Sequence, residues 1–195
     1  MTEKIDALIA RLHEVETELQ AELESRNARL RGKFSQIDEE ITRRHQLMRV
    51  SVFRYITQAN LLFIITAPVI YSLIIAFALL DISVTIYQHI CFRVYKIPLV
   101  KRKNYFVYDR GQLKYLNAIE KFNCAYCSYG NGVIAYAREI AALTEKFWCP
   151  IKHAQSIVGT HRHYHLFENF GDAENYQPNL IKHRTDLSHQ DQPTK

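Results

Sequence analysis

Apolar residues recur every eleven positions along the first fifty residues. Leu8, Leu19, Leu30 and Ile41 form one row, and Leu12, Leu23 and Phe34 form a second. Val15, Ile37 and Met48 make a third row, which Arg26 interrupts. Eleven residues over three turns is about 3.67 per turn, close to the pitch of a straight helix. A heptad fits worse, because Leu19 and Leu23 break its alternation. Charged residues fill the other faces, and Gly32 is the one weak helix former. The pattern predicts a long amphipathic, coiled-coil-like helix over residues 1–54 whose stripe must be covered. Such helices are seldom stable alone. The expected cover is a second copy of the chain, making a homo-oligomer; packing onto the C-terminal domain is the alternative.

The period then disappears. Residues 61–80, LLFIITAPVIYSLIIAFALL, contain no charged residue. That length is enough to cross the ~30 Å hydrocarbon core of a bilayer, and a soluble core helix is rarely apolar on every face. Membrane lipids are therefore an expected partner, with 55–92 as the embedded segment. Arg43, Arg44, Arg49 and Arg54 precede it, and Arg93, Lys96, Lys101, Arg102 and Lys103 follow. Both flanks read as cytoplasmic by the positive-inside rule. A helical hairpin bent near residues 68–72 satisfies both; a shallow re-entrant hairpin or one span kinked at Pro68 are the other arrangements. Asp81 is the single charge in 55–92. It is a candidate intramembrane functional residue, with an interfacial or capping position ahead of an amphipathic piece, residues 82–92, as the plainer reading.

Residues 93–112 form a basic connector, since Pro98 excludes a continuous helix. The run KRKNYFVYDR alternates basic and aromatic residues. Beside a membrane segment it suits anionic headgroups, and nucleic acid is not an expected partner. Residues 113–184 predict a small helical domain. Two helices, 113–126 and 133–147, meet at a turn over residues 128–132. The polar tail 185–195 is expected to be disordered. The fold class is thus mainly α: a long N-terminal helix, a membrane-embedded helical segment and a small helical C-terminal domain carrying a Cys/His site.

A repeated word supplies the candidate chemistry: Glu120-Lys-Phe-Asn-Cys124 and Glu145-Lys-Phe-Trp-Cys149. The first copy runs on to Cys127 and the second to His153. Across a helical hairpin, Cys124, Cys127, Cys149 and His153 would form a tetrahedral soft-ligand set suited to zinc. Pro150 would open a new short helix with Cys149 at its N-cap, where backbone N–H groups lower a thiol pKa. Glu120, Glu139 and Glu145 would stand behind these ligands or, with His153, would hold iron instead. A third reading makes Cys124 and Cys127 a redox dithiol, although the βαβ setting of thioredoxin-like motifs is missing. The alternation His161-Arg-His163-Tyr-His165 reads as a surface loop ahead of a second metal site.

Formal net charge is +5. The first fifty residues are too charged for a signal peptide. Four cysteines without framework spacing point to reduced thiols and a cytoplasmic setting. No Walker loop, nucleophile elbow or dinucleotide fingerprint occurs.

From about Leu79 to Tyr176 the chain resembles a family of uncharacterised bacterial membrane-associated proteins. The resemblance is carried by LLDISVTIYQHICF, YLNAIEKFNCAYCSYGNGVIAYAREI, EKFWCPIKHA and FGDAENY. It implies a bacterial inner-membrane protein and supplies no mechanism. The expectation is a metal-stabilised adaptor or assembly protein with its Cys/His domain in the cytoplasm. The alternative is a membrane-associated thiol or iron redox enzyme using Cys124 and Cys127, so enzymatic activity stays open.

Overall fold

The computed structural model describes residues 2–35 and 39–189, which form helices, turns and connectors and no strand. The chain divides into two units, Met1–Val50 and Ser51–Lys195. In the first, α1 (Thr2–Ser35) runs unbroken through Gly32 and α2 (Glu39–Leu47) follows. Leu12, Val15, Leu19 and Leu23 are 47–59 % exposed, so the first unit does not itself cover the described part of the stripe. The side chains of Leu8, Leu30, Phe34, Ile37 and Ile41 lie outside the described set.

The second unit opens with α3 (Val52–Thr57), capped by the Ser51 hydroxyl, which accepts the Arg54 N–H. The Asn60 side chain caps α4 (Leu61–Tyr87) by accepting the Leu62 N–H. The hairpin expected near residues 68–72 does not form: α4 continues through Pro68. Contacts with a later helix hold this stretch helical. Tyr71 donates to the Asn123 side chain, and Tyr126 donates to the Ile70 carbonyl. A π turn (Gln88–Phe92) and the short α5 (Arg93–Tyr95) extend the same rod. The wider turn lets Gln88 and Phe92, 1 % and 0 % exposed, both face inward. Lys96 ends the rod in the left-handed conformation, φ 57°, and Ile97 N–H returns to the Phe92 carbonyl at 2.8 Å.

α6 (Ala118–Trp148) is one helix, not the expected pair. Its start is a capping box: Asn117 Oδ1 accepts the Glu120 N–H at 3.0 Å, and Glu120 accepts the Asn117 N–H at 2.8 Å. The sequence Ser128-Tyr-Gly-Asn-Gly132 reads as a turn because glycine weakens helices. Here its glycines are buried contact points. A Cβ on Gly130 would lie 2.7 Å from the Phe77 ring, and one on Gly132 would lie 2.8 Å from the Tyr105 carbonyl oxygen. Their missing side chains let α4 and the connector press against α6.

α4 and α6 run side by side in the same direction. Tyr71 meets Phe122, Phe77 meets Tyr126, Gln88 meets Tyr136, and Tyr95 stacks on Phe147. Parallel neighbours need a long return, and residues 96–117 supply it. That connector is irregular, interrupted by 3-10 turns at Arg102–Asn104 and Asp109–Gln112. Phe92, Ile97, Tyr136, Ile140, Leu143 and Leu187 form the core. Leu187 belongs to α7 (Ala173–His189), which packs on the C-terminal half of α6. α7 carries helix five residues into the tail expected to be disordered, because Leu187 anchors it; residues 190–195 lie outside the described set.

Candidate functional site

Three polar clusters are built on this frame. At the α4–α6 junction Asp81 receives Arg102 in a fork, Nε to Oδ1 at 3.2 Å and Nη2 to Oδ2 at 2.7 Å. Tyr129 also donates to Oδ2, at 3.1 Å. Asp81 therefore joins α4, the connector and α6, and Arg102 lies over the Phe106 ring at 3.8 Å. Two turns further, Gln88 Nε2 donates to the Tyr136 hydroxyl, and Gln88 Oε1 accepts the Val100 N–H at 3.0 Å.

The third cluster lies on the C-terminal half of α6. His163 bonds Glu139 at 3.1 Å, and Arg162 pairs with the same carboxylate. His161 bonds Glu145 at 2.9 Å. Arg138 donates to the carbonyls of Gly159 and Thr160. These bonds strap residues 159–163 across α6. A short parallel bridge, Ile151 with Glu168, fastens the next segment, and His153 N–H donates to Tyr164 at 2.7 Å. Glu139, His163 and Arg162 also border a cavity of about 220 Å³, with Lys101, Tyr105 and Leu143.

The sequence-derived metal ligands do not meet. Cys124 and Cys127 share a turn near the start of α6, half-buried and exposed respectively, while Cys149 is the C-cap residue of the same helix. At 1.5 Å per residue, Cys124 and Cys149 are separated by ~37 Å along the axis. No short helix opens at Pro150, so Cys149 sits at a carbonyl end and not at an N-cap. His153 stacks on Tyr164 instead. These four residues do not fit one zinc centre within a chain. The residues of the iron alternative are likewise not brought together: Glu120 closes the capping box, while Glu139 bonds His163 and Glu145 bonds His161. Among the described residues no group of three or more His, Cys, Asp or Glu is arranged to hold a metal ion.

Glu139 and two other buried groups of the head, Lys146 and His183, have shifted proton affinities. Burial pushes the Glu139 carboxyl up, but the His163 bond and the Arg162 guanidinium outweigh it and hold it below the usual carboxylate range. Burial pushes Lys146 down, opposed by Asp186. Burial and the nearby Lys146 charge likewise push His183 down, against Glu168 and Asp186. The Glu168 oxygen is 3.7 Å from His183 Nε2, beyond hydrogen-bond reach. All three groups have lower pKa values folded than unfolded, so the unfolded chain binds protons first as pH falls. Their contribution to stability is present at high pH and is lost on acidification. Between about pH 7 and pH 5 the loss comes from His183, whose ordinary value is about 6.5. We expect the urea midpoint to fall over that window, and the fall to be shallower in His183→Gln.

No protein-family model, curated protein or solved structure matches the chain.

Proposed function

We propose that this chain is a membrane-bound adaptor or assembly protein whose N-terminal helix self-associates and whose C-terminal head is held against the bilayer. One observation carries the reading: α4 keeps most of its apolar side chains exposed from Leu61 to Leu80, while Tyr71, Phe77 and Asp81 fasten it to α6 and the connector. Anchor and head are thus one rigid piece, an arrangement suited to positioning. The head's polar groups favour the same reading. His161, His163, Glu139 and Glu145 are spent on each other, closing a strap on α6. The family resemblance and the basic flanks favour the bacterial inner membrane with the head in the cytoplasm. Self-association gives such an adaptor valency. It rests on Leu12, Val15, Leu19 and Leu23, which their own unit leaves exposed. Replacing Leu19 and Leu30 by Asp places charges in the stripe, and light scattering in detergent should register a smaller oligomer. An unchanged mass removes the self-association half of this reading.

A further inference from the structure

We infer that α4 lies along the membrane surface, sunk in one leaflet by its outward face, and does not cross the bilayer; this rests on the membrane-bound reading above. The first argument is where the charges are. A crossing helix would place residues 61–80 through the full hydrocarbon core. But α6 begins beside this stretch, since Asn123 meets Tyr71, and the connector returns alongside it, since Arg102 meets Asp81. Asp109 and Arg110, further along that connector on its return to the start of α6, are exposed. Crossing would carry them into hydrocarbon without partners. α6 starts five residues before Asn123, so the stretch of α4 that precedes it, about residues 61–65, is only ~8 Å long, about a quarter of what a span needs.

The second argument is the shape of the apolar face. Ile75, Leu79, Ile82, Ile86, Ile90 and Val94 are 54–72 % exposed. They form one stripe opposite Asp81 and Gln88, and it runs past Asp81 to the end of the rod. Successive steps of four would drift by about 40° each in an α-helix; the π turn at Gln88–Phe92 takes up that drift and keeps Ile90 and Val94 in line. A lipid-facing band on a span would stop at the interface. A stripe that continues from Ile75 past Asp81 to the end of the rod, polar matter behind it over that length, and exposed Arg54, Arg93 and Lys96 flanking the apolar segment suit an in-plane helix meeting anionic headgroups. This placement also leaves both basic flanks on one side of the membrane without a hairpin.

Tryptophan depth measurement tests it in the full chain. The single tryptophan is changed by Trp148→Phe, and Leu79→Trp, Ile86→Trp or Val94→Trp is added at an exposed position that does not touch the core. Each protein is bound to phosphatidylcholine–phosphatidylglycerol vesicles carrying bromine at defined acyl positions. The expected result is the same shallow depth at all three sites. A crossing helix gives steps of ~10 Å between successive sites; that result overturns the in-plane placement and leaves the membrane reading intact. Co-flotation with no quenching at any site means another copy covers the stripe, which also overturns it. Failure to float with vesicles sinks the membrane reading itself.

Discussion

Gly132→Leu should destabilise the C-terminal unit by about 3 kcal/mol or more, the range of severe overpacking. The reason is what the new side chain meets. A Cβ at 132 would stand 2.8 Å from the Tyr105 carbonyl oxygen and 3.0 Å from the Phe106 ring. The carbonyl is backbone, fixed between Arg102, which pairs with Asp81, and Phe106, which packs on Tyr129 and Tyr136. Relief requires moving the connector off α6. Gly130 is the contrast, because its Cβ would meet only the edge of the Phe77 ring, at 2.7 Å. That ring can turn aside, and alanine gains about 1 kcal/mol of helix propensity over glycine. Gly130→Ala should therefore stay near wild-type stability and Gly132→Ala should fall between. Urea melts of the detergent-solubilised protein give the order.

Tyr136→Ala should be comparably damaging. The ring is 1 % exposed and packs against Tyr105 and Phe106 at centroid distances of 5.9 and 6.1 Å. Truncating a buried aromatic to alanine costs about 3–5 kcal/mol. Tyr136→Phe isolates the hydroxyl. It keeps the ring and leaves the Gln88 amide only the Val100 carbonyl at 3.5 Å, so a loss of about 1 kcal/mol is expected. Because Gln88 lies on the π turn, the larger variant should also loosen Phe92 and raise hydrogen exchange through residues 88–92.

Much of the architecture was legible in residue patterns. The eleven-residue period marks a long N-terminal helix, the uncharged run marks the apolar rod, and Pro98 marks the connector. Where the structure departs from these patterns, a neighbour in space overrides the local signal. Pro68 and the pair Gly130 and Gly132 break helices in isolation, yet each sits inside one here because side-by-side packing supplies what the backbone loses. The repeated Glu-Lys-Phe-x-Cys word invited a chelating hairpin. Its copies are twenty-five residues apart, about seven helical turns, so it repeats one face of a single helix. The copies then diverge in use: Phe147 stacks on Tyr95 while Phe122 is largely exposed. The pairs Glu139–His163 and Glu145–His161 were missed as pairs because their partners arrive from a loop with no helical spacing. Asp81 was noticed for its charge, but nothing in its own neighbourhood pointed to Arg102.

α6 is one helix packed along α4, so the two cysteine words stand at opposite ends of the head. Electron–electron distance measurement between spin labels on Cys127 and Cys149, after Cys91→Ser and Cys124→Ser, tests this most directly. The continuous helix places those residues ~33 Å apart along its axis, and a single distance distribution near that value is predicted. A distance near the 8–10 Å spacing of adjacent helices, about that of a folded-back hairpin, would contradict the account and restore a shared cysteine–histidine centre.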